Sequence, residues 1–140
     1  MIVRLLRAIP LRARRVVFVA YAVALATGTH WPALTLGPDP GFRLDIVVHL
    51  AAFAAWTFLL AGCEWFGVID SRRNTAWCVG AAAAYAALDE ATQALPGVNR
   101  TVLWSDLIAN WSGVAFAGAW LIVAGSLGDR KPNEPAQAGE

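Results

Sequence analysis

The chain has 140 residues, of which 58% are hydrophobic and only 15% are charged. A soluble domain normally carries about 25% charged residues, so this composition excludes an ordinary soluble protein and favours an integral membrane protein. The net charge of +1 says little about partners. Because the sequence has no glycine-rich phosphate loop and no basic nucleic-acid surface, no nucleic-acid partner is expected.

Four apolar segments follow one another, and the first begins after a basic N-terminal segment, residues 1–15. This first segment, about 16–31, is slightly shorter than the roughly 20 residues that span a bilayer. The basic start and the Ala24-Leu25-Ala26 triplet also resemble a cleavable secretory signal, which would leave three spans. We prefer a retained helix, because the apolar run continues past the triplet.

The other apolar segments lie at about 46–68, 76–95 and 107–127. The second and fourth segments are long enough to cross a membrane as helices. The third segment reaches full length only if the acidic pair Asp89 and Glu90 lies at membrane depth.

No part of the chain shows the alternating ten-residue strands of a membrane barrel, so helices are the expected spanning elements. The sequence therefore predicts an all-α fold, an integral membrane four-helix bundle over residues 16–127. The polar tail, residues 128–140, is expected to be disordered.

The positive charges predict how this bundle is oriented. Nine of the eleven Lys and Arg residues lie in the N-terminal segment, in the loop with Arg72 and Arg73, or in the tail. The other two, Arg43 and Arg100, lie in loops on the opposite side. Because positively charged loops stay in the cytoplasm, both termini are expected to be cytoplasmic.

Polar side chains recur at the outward end of three predicted helices. Each of these helices carries an acid and a second polar residue three or four positions away, on the same helical face. Arg100 lies in the short loop between the third and fourth helices. Neighbouring antiparallel helices bring such groups together, so we expect one ligand-binding site. Its residues are Asp45, His49, Glu90, Gln93, Arg100, Asp106 and Asn110.

The acids of this predicted site differ in whether a helix-capping role could account for their positions. Asp45 and Asp106 each begin a helix, where a carboxylate caps free N–H groups and favours the positive end of the dipole. Glu90 lies near a helix C-terminus, where negative charge is unfavourable. It is therefore expected to be protonated, paired with Arg100 or His49, or surrounded by water.

Asp89 precedes Glu90, and successive helical residues point about 100° apart. The spacing of Glu90 and Gln93 predicts that Glu90 faces the bundle, while Asp89 leans toward the membrane interface.

Several other residues are expected to have purely structural roles. Gly113, Ala117 and Gly118 would let the fourth helix pack closely. Glu64 would either snorkel to the interface or meet Arg72 or Arg73. The tryptophans at the segment ends are typical interfacial anchors, namely Trp31, Trp65, Trp77 and Trp104.

The order of these polar motifs resembles that of the VanZ-like family of small membrane proteins. The resemblance rests on E-x-x-Q, then P-G and Arg, then D-x-x-x-N-x-x-G, with D-x-x-x-H upstream. These motifs are Glu90 to Gln93, Pro96-Gly97 with Arg100, Asp106 to Asn110 and Gly113, and Asp45 to His49. The chain departs from the family at Ile46, where Lys is frequent, and at Val98-Asn99, which separate the glycine from Arg100.

The resemblance implies a multi-pass protein of the bacterial cytoplasmic membrane with a role in the cell envelope. The founding member of the family is associated with resistance to the glycopeptide teicoplanin. Many relatives have no assigned role, so the family implies neither a reaction nor a cofactor.

The first functional hypothesis is a binding module for a lipid or glycolipid headgroup, an envelope precursor or a glycopeptide. Arg100 would contact a phosphate or carboxylate, while Glu90, Gln93 and Asn110 would bond hydroxyl or amide groups.

The second hypothesis is an enzyme acting on a lipid-linked substrate, with Glu90 or His49 as general base and Asp106 or Asp45 orienting it. Arg100 would stabilise developing charge, and the three acids Asp45, Glu90 and Asp106 suit a divalent ion.

A third hypothesis makes the polar groups a packing network. The chain would then be an accessory subunit of a larger membrane complex.

Overall fold

The computed structural model describes residues 6–31, 44–93, 95 and 103–128. This part of the chain is helical and contains no strand, which confirms the predicted all-α class. A single helical turn at residues 6–8 is followed by four long helices. These are α1 (Leu11–Thr29), α2 (Leu44–Gly62), α3 (Arg72–Gln93) and α4 (Trp104–Gly128).

The helix ends differ from the predicted ones where polar residues begin or stop a helix. α1 begins after Pro10, whose carbonyl accepts a bond from the Arg14 amide at 3.1 Å, so its arginines belong to the helix. α2 ends at Gly62, and Glu64 then adopts a left-handed φ of 53°. The predicted disordered tail, residues 128–140, begins one residue too early, because Gly128 still belongs to α4. Residues 129–140 lie outside the described residues.

Two of the four helices are long and apolar enough to cross a membrane, by length and composition. They are α2 and the first 24 residues of α4. α1 carries three arginines in its first two turns, and α3 carries an arginine pair and an acidic pair. Because of these charges, α1 and α3 are not apolar enough to meet the same criterion of length and composition.

The helices run alternately up and down, and α2 and α4 make the most extensive contact. At the centre, the Trp56 ring stacks on Tyr85 with the centroids 5.1 Å apart, and Phe18 meets the Trp56 edge at 5.1 Å. α3 contributes a narrow buried face of small side chains, including Ala82 and Ala86, which lets its neighbours approach. The core is therefore aromatic on α1 and α2, whereas α3 contributes small side chains and the single aromatic ring of Tyr85.

Gly113 marks the closest approach of two helix backbones. A Cβ atom at this position would overlap the carbonyl oxygen of Leu50 and lie 3.0 Å from the Ala54 nitrogen. A Cβ on Gly118 would lie 2.7 Å from Cγ2 of Val79, on α3. The expectation that small residues let α4 pack closely is confirmed.

At one end of the molecule, the basic end, polar side chains complete the C-terminus of α2. The last carbonyls of a helix lack intrahelical partners. Here three carbonyls at or just after the end of the helix accept hydrogen bonds from side chains of other segments. The pairs are Asn74 Nδ2 to Ala61 O at 3.0 Å, Arg14 NH1 to Gly62 O at 2.7 Å, and Arg15 Nε to Cys63 O at 3.2 Å.

The acid expected to meet Arg72 or Arg73 contacts another residue. Glu64 lies 3.4 Å from Arg14 NH1, because the first turns of α1 pack beside the end of α2. Arg7 forms the other ion pair of the basic end, 2.7 Å from Asp70 Oδ2.

Candidate functional site

Polar side chains converge at the opposite end of the helices, which we call the polar layer. It is formed where α1 and α3 end and α2 and α4 begin. Four of its side chains are almost inaccessible, with exposed fractions of 2% for Asp89, 3% for Glu90, 4% for Gln93 and 0% for Asn110. Burying two adjacent carboxyl groups is costly unless each is hydrogen-bonded, so their partners decide what the layer can do.

The first set of contacts, the Glu90 arm, crosses from α3 to α4 and α2. Asn110 Nδ2 donates to Glu90 Oε1 at 3.3 Å, and Asn110 Oδ1 lies 3.0 Å from His49 Nδ1. An amide oxygen only accepts, so the Nδ1 atom of His49 carries the proton of this bond. The other ring nitrogen, Nε2, lies 3.8 Å from Asp106 Oδ2.

The second set of contacts, the Asp89 arm, runs from α3 to α1. Thr29 Oγ1 donates to Asp89 Oδ1 at 2.8 Å, and Gln93 Nε2 donates to Asp89 Oδ2 at 3.1 Å. His30 Nδ1 lies 3.8 Å from Asp89 Oδ1, and His30 Nε2 lies 2.9 Å from Thr92 Oγ1. Both carboxylate oxygens of Asp89 thus accept hydrogen bonds.

The His30 ring is held by contacts at both of its nitrogens. Nδ1 lies 2.9 Å from the Ala26 carbonyl, which only accepts, so this nitrogen donates. The single hydroxyl proton of Thr92 points to the carbonyls of Leu88 and Asp89, at 2.8 and 2.9 Å. Nε2 faces this Thr92 hydroxyl, so both ring nitrogens of His30 have polar neighbours beside the Asp89 carboxylate.

The structure corrects the expected orientation of the acidic pair. Asp89 was expected to lean toward the membrane interface, yet it is as buried as Glu90. Both point inward because α3 has neighbours on two sides: α1 contacts the Asp89 face, and α4 contacts the Glu90 face.

Four residues of the predicted site are joined in the Glu90 arm: His49, Glu90, Asp106 and Asn110. Gln93 also belongs to the polar layer, but it bonds Asp89. These placements agree with the predicted convergence at one level.

The two other predicted site residues are Asp45 and Arg100. Asp45 lies in the first turn of α2, half-buried, one turn before His49. Arg100 lies outside the described residues.

Sequence reasoning missed the contribution of α1. Thr29 and His30 end the first apolar segment at the same level as the other polar residues, which was the available signal. Thr92 was also missed, although it lies three positions after Asp89 on the same helix.

Within the described ranges, no group of three or more His, Cys, Asp and Glu residues is arranged to hold a metal ion. Asp45, Glu90 and Asp106 therefore do not form the ion site that their chemistry allows. Cys63 and Cys78 are buried free thiols.

Comparison with protein-family models, with curated proteins and with solved structures finds no match. The VanZ-like resemblance therefore stays a prediction that rests on the order of the motifs.

Proposed function

We propose that this chain is a VanZ-like, four-span integral membrane protein with both termini in the cytoplasm of a bacterium. In this proposal the polar layer faces outward and binds the polar headgroup of a lipid, a glycolipid or an envelope precursor. Teicoplanin-like glycopeptides carry similar hydroxyl and amide groups and belong to the same class of ligand.

The lengths and surfaces of the helices support four spans. At 1.5 Å per residue, the 19 residues of α1 and the 22 residues of α3 extend roughly 28 and 33 Å, close to the thickness of a hydrocarbon core. Asp89 and Glu90 are turned away from the outer surface, so α3 does not present them to lipid.

Large apolar side chains are exposed along the outer faces of the helices, as a lipid-facing surface requires. Examples are Val19 and Val23 on α1, and Phe116 and Val123 on α4. All four expected anchor tryptophans are exposed, between 45% for Trp65 and 79% for Trp104.

The Glu90 arm is the observation that carries the proposed binding role. It runs from a buried carboxyl group through a buried amide to His49 and Asp106, whose side chains are 12% and 13% exposed. The buried members hold His49 in one orientation, while the outer members remain accessible. His49 Nε2 and the Asp106 carboxylate can then bond the hydroxyl or amide groups of a headgroup.

The same geometry supports a second candidate, an enzyme in which His49 acts as general base. Asn110 holds the Nδ1 proton, and Nε2 lies 3.8 Å from Asp106, which would orient the ring and stabilise its charge. We rank this activity below binding, because the hydroxyl of the nearby Ser105 donates to Asp106 Oδ1 at 3.0 Å.

Ligand retention tests the binding role. The full chain would be reconstituted in nanodiscs of bacterial polar lipids, and retained species would be identified by native mass spectrometry, with teicoplanin as a soluble probe. His49→Gln and Asp106→Asn should each weaken retention or teicoplanin binding about tenfold or more, as loss of a hydrogen bond to a charged group does.

Ser112→Ala is the matched control, because Ser112 is exposed on α4 and bonds only the Ile108 carbonyl of its own helix. If His49→Gln and Asp106→Asn bind as well as Ser112→Ala and keep their unfolding temperatures, the proposed binding role is wrong. A variant that loses turnover of a lipid-linked substrate while still binding it would favour the enzyme.

A further inference from the structure

A small cavity lies at the basic end, between the start of α3 and the last turns of α4. Its volume is about 50 Å³. A buried water needs about 10–15 Å³, so the cavity has room for roughly three to five water-sized groups. Its lining is formed by Asp70, Arg72, Thr75, Ile122, Gly125 and Ser126. It is at the opposite end of the helices from the polar layer, so nothing about it depends on the proposed headgroup site.

Thr75 points to a ligand in this cavity. The residue is only 2% exposed, yet its hydroxyl makes no hydrogen bond with any residue in the described part of the chain. Thr75 lines the cavity, and a hydroxyl that borders a polar cavity favours a hydrogen-bonding occupant. The Ser126 hydroxyl is already committed to the Ile122 carbonyl at 2.9 Å. Thr75 is therefore the hydroxyl donor available to an occupant.

The charges around the cavity favour an anion. Exposed Arg72 lines the cavity and is the first residue of α3, so the positive end of that helix dipole lies beside it. The Asn74 and Thr75 amides donate to Ser71, which leaves the side chains as the donors for an occupant. Asp70 would repel an anion, but Arg7 pairs with its carboxylate at 2.7 Å and offsets that charge.

We propose that this cavity binds a phosphate-type oxyanion, with Arg72 and the Thr75 hydroxyl as its donors. A guanidinium is well suited to phosphate oxygens because it presents several N–H groups in one plane. The oxyanion is either the headgroup of an anionic phospholipid or free phosphate. Exposed Trp65 and Trp77 occur at the same end of the helices, which places the cavity at the depth of lipid headgroups if the chain spans a membrane.

Two variants remove the proposed donors with little change in shape, Arg72→Gln and Thr75→Val. Arg73→Gln is the matched control, since Arg73 is the next residue on the same exposed turn but does not line the cavity. Inorganic phosphate would be titrated into the full chain in detergent by calorimetry. Retention of phosphatidylglycerol over phosphatidylcholine would be measured from mixed nanodiscs by native mass spectrometry.

We expect Arg72→Gln to weaken binding about 10- to 100-fold, as loss of charge-assisted hydrogen bonds does, and Thr75→Val about 3- to 10-fold. Arg73→Gln should change it less than about twofold, as a distant exposed charge does. Loss of phosphatidylglycerol retention identifies a lipid headgroup as the source, whereas loss of phosphate binding alone identifies the free ion.

Equal weakening by Arg72→Gln and Arg73→Gln would show diffuse attraction to a basic surface and would overturn the site. So would the absence of binding to both probes in the unmodified chain. Either result leaves the retention experiment on His49 and Asp106 unaffected, because those residues lie at the other end of the helices.

Discussion

The two ends of this molecule use polar side chains in opposite ways. At the basic end, Arg14, Arg15 and Asn74 donate to backbone carbonyls that would otherwise lack partners. In the polar layer, the side chains bond mainly to one another, and two carboxyl groups are buried among them. A polar side chain that hydrogen-bonds a backbone carbonyl at a helix end is explained by its contribution to folding alone. The side chains of the polar layer bond one another, and this network extends to the partly exposed His49. Folding alone does not explain such an arrangement, so we look for a function.

The largest expected effect comes from Gly113→Val, which would separate α4 from α2 and so disturb the Glu90 arm. The new side chain would overlap the Leu50 carbonyl, adjacent to His49, and backbone cannot give way as a flexible side chain does. We expect a loss of about 3 kcal/mol or more of unfolding free energy, or failure to fold. Gly80→Val on α3 is the control, because a Cβ there meets nothing within 4 Å.

Two buried asparagines allow a direct comparison of the ends. Asn110 and Asn74 are both 0% exposed, but Asn110 donates to a carboxyl group and Asn74 to a carbonyl. Asn110→Ala should cost about 3 kcal/mol and Asn74→Ala about 1–2 kcal/mol, because a buried charged group loses more when a donor is removed. Equilibrium unfolding in mixed micelles would measure both, and equal costs would argue that the ends do not differ.

Two aspartates give a similar comparison with smaller effects. Asp89→Asn removes the negative charge beside His30 in a buried arm, and we expect a loss of about 2 kcal/mol. Asp70→Asn breaks a pair whose side chains are 28% and 49% exposed, and such exposed pairs contribute about 0–1 kcal/mol. The same unfolding measurements apply, and a larger loss from Asp70→Asn would reverse the comparison.

The smallest changes in unfolding free energy are expected for hydroxyls that take part in the contacts of neither the basic end nor the polar layer. Thr27 and Ser112 are exposed and bond only the carbonyl four residues earlier in their own helices. Thr27→Ala and Ser112→Ala should each change the unfolding free energy by no more than about 0.5 kcal/mol. A larger change would reveal a contact at the outer surface that the two ends do not account for.

Much of this fold could be predicted because hydropathy and helical spacing are local properties. The four apolar segments and the shared level of His49, Glu90 and Asn110 follow from them directly. The role of Gly113 was also predictable, since a small residue one turn after a polar one is typical of close helix contact.

What the sequence could not supply depends on which helix lies beside which. An angle of about 100° between Asp89 and Glu90 suggests that only one can face inward, unless α3 has neighbours on both sides. The capping role of Arg14 and Arg15 likewise requires the start of α1 to lie beside the end of α2, and no spacing within either segment shows this.

Asp89 and Glu90 are consecutive, so the two arms of the polar layer share a single peptide unit on a stiff helix. A small rotation of α3 that brings Glu90 closer to Asn110 must carry Asp89 away from Thr29. We therefore expect ligand binding at His49 to rotate α3 and so to change the contacts of His30 on the other side of the molecule. A fluorescence change of a reporter at position 31 on teicoplanin binding, abolished by His49→Gln, would reveal this motion, and an unresponsive reporter despite binding would show that the arms move independently.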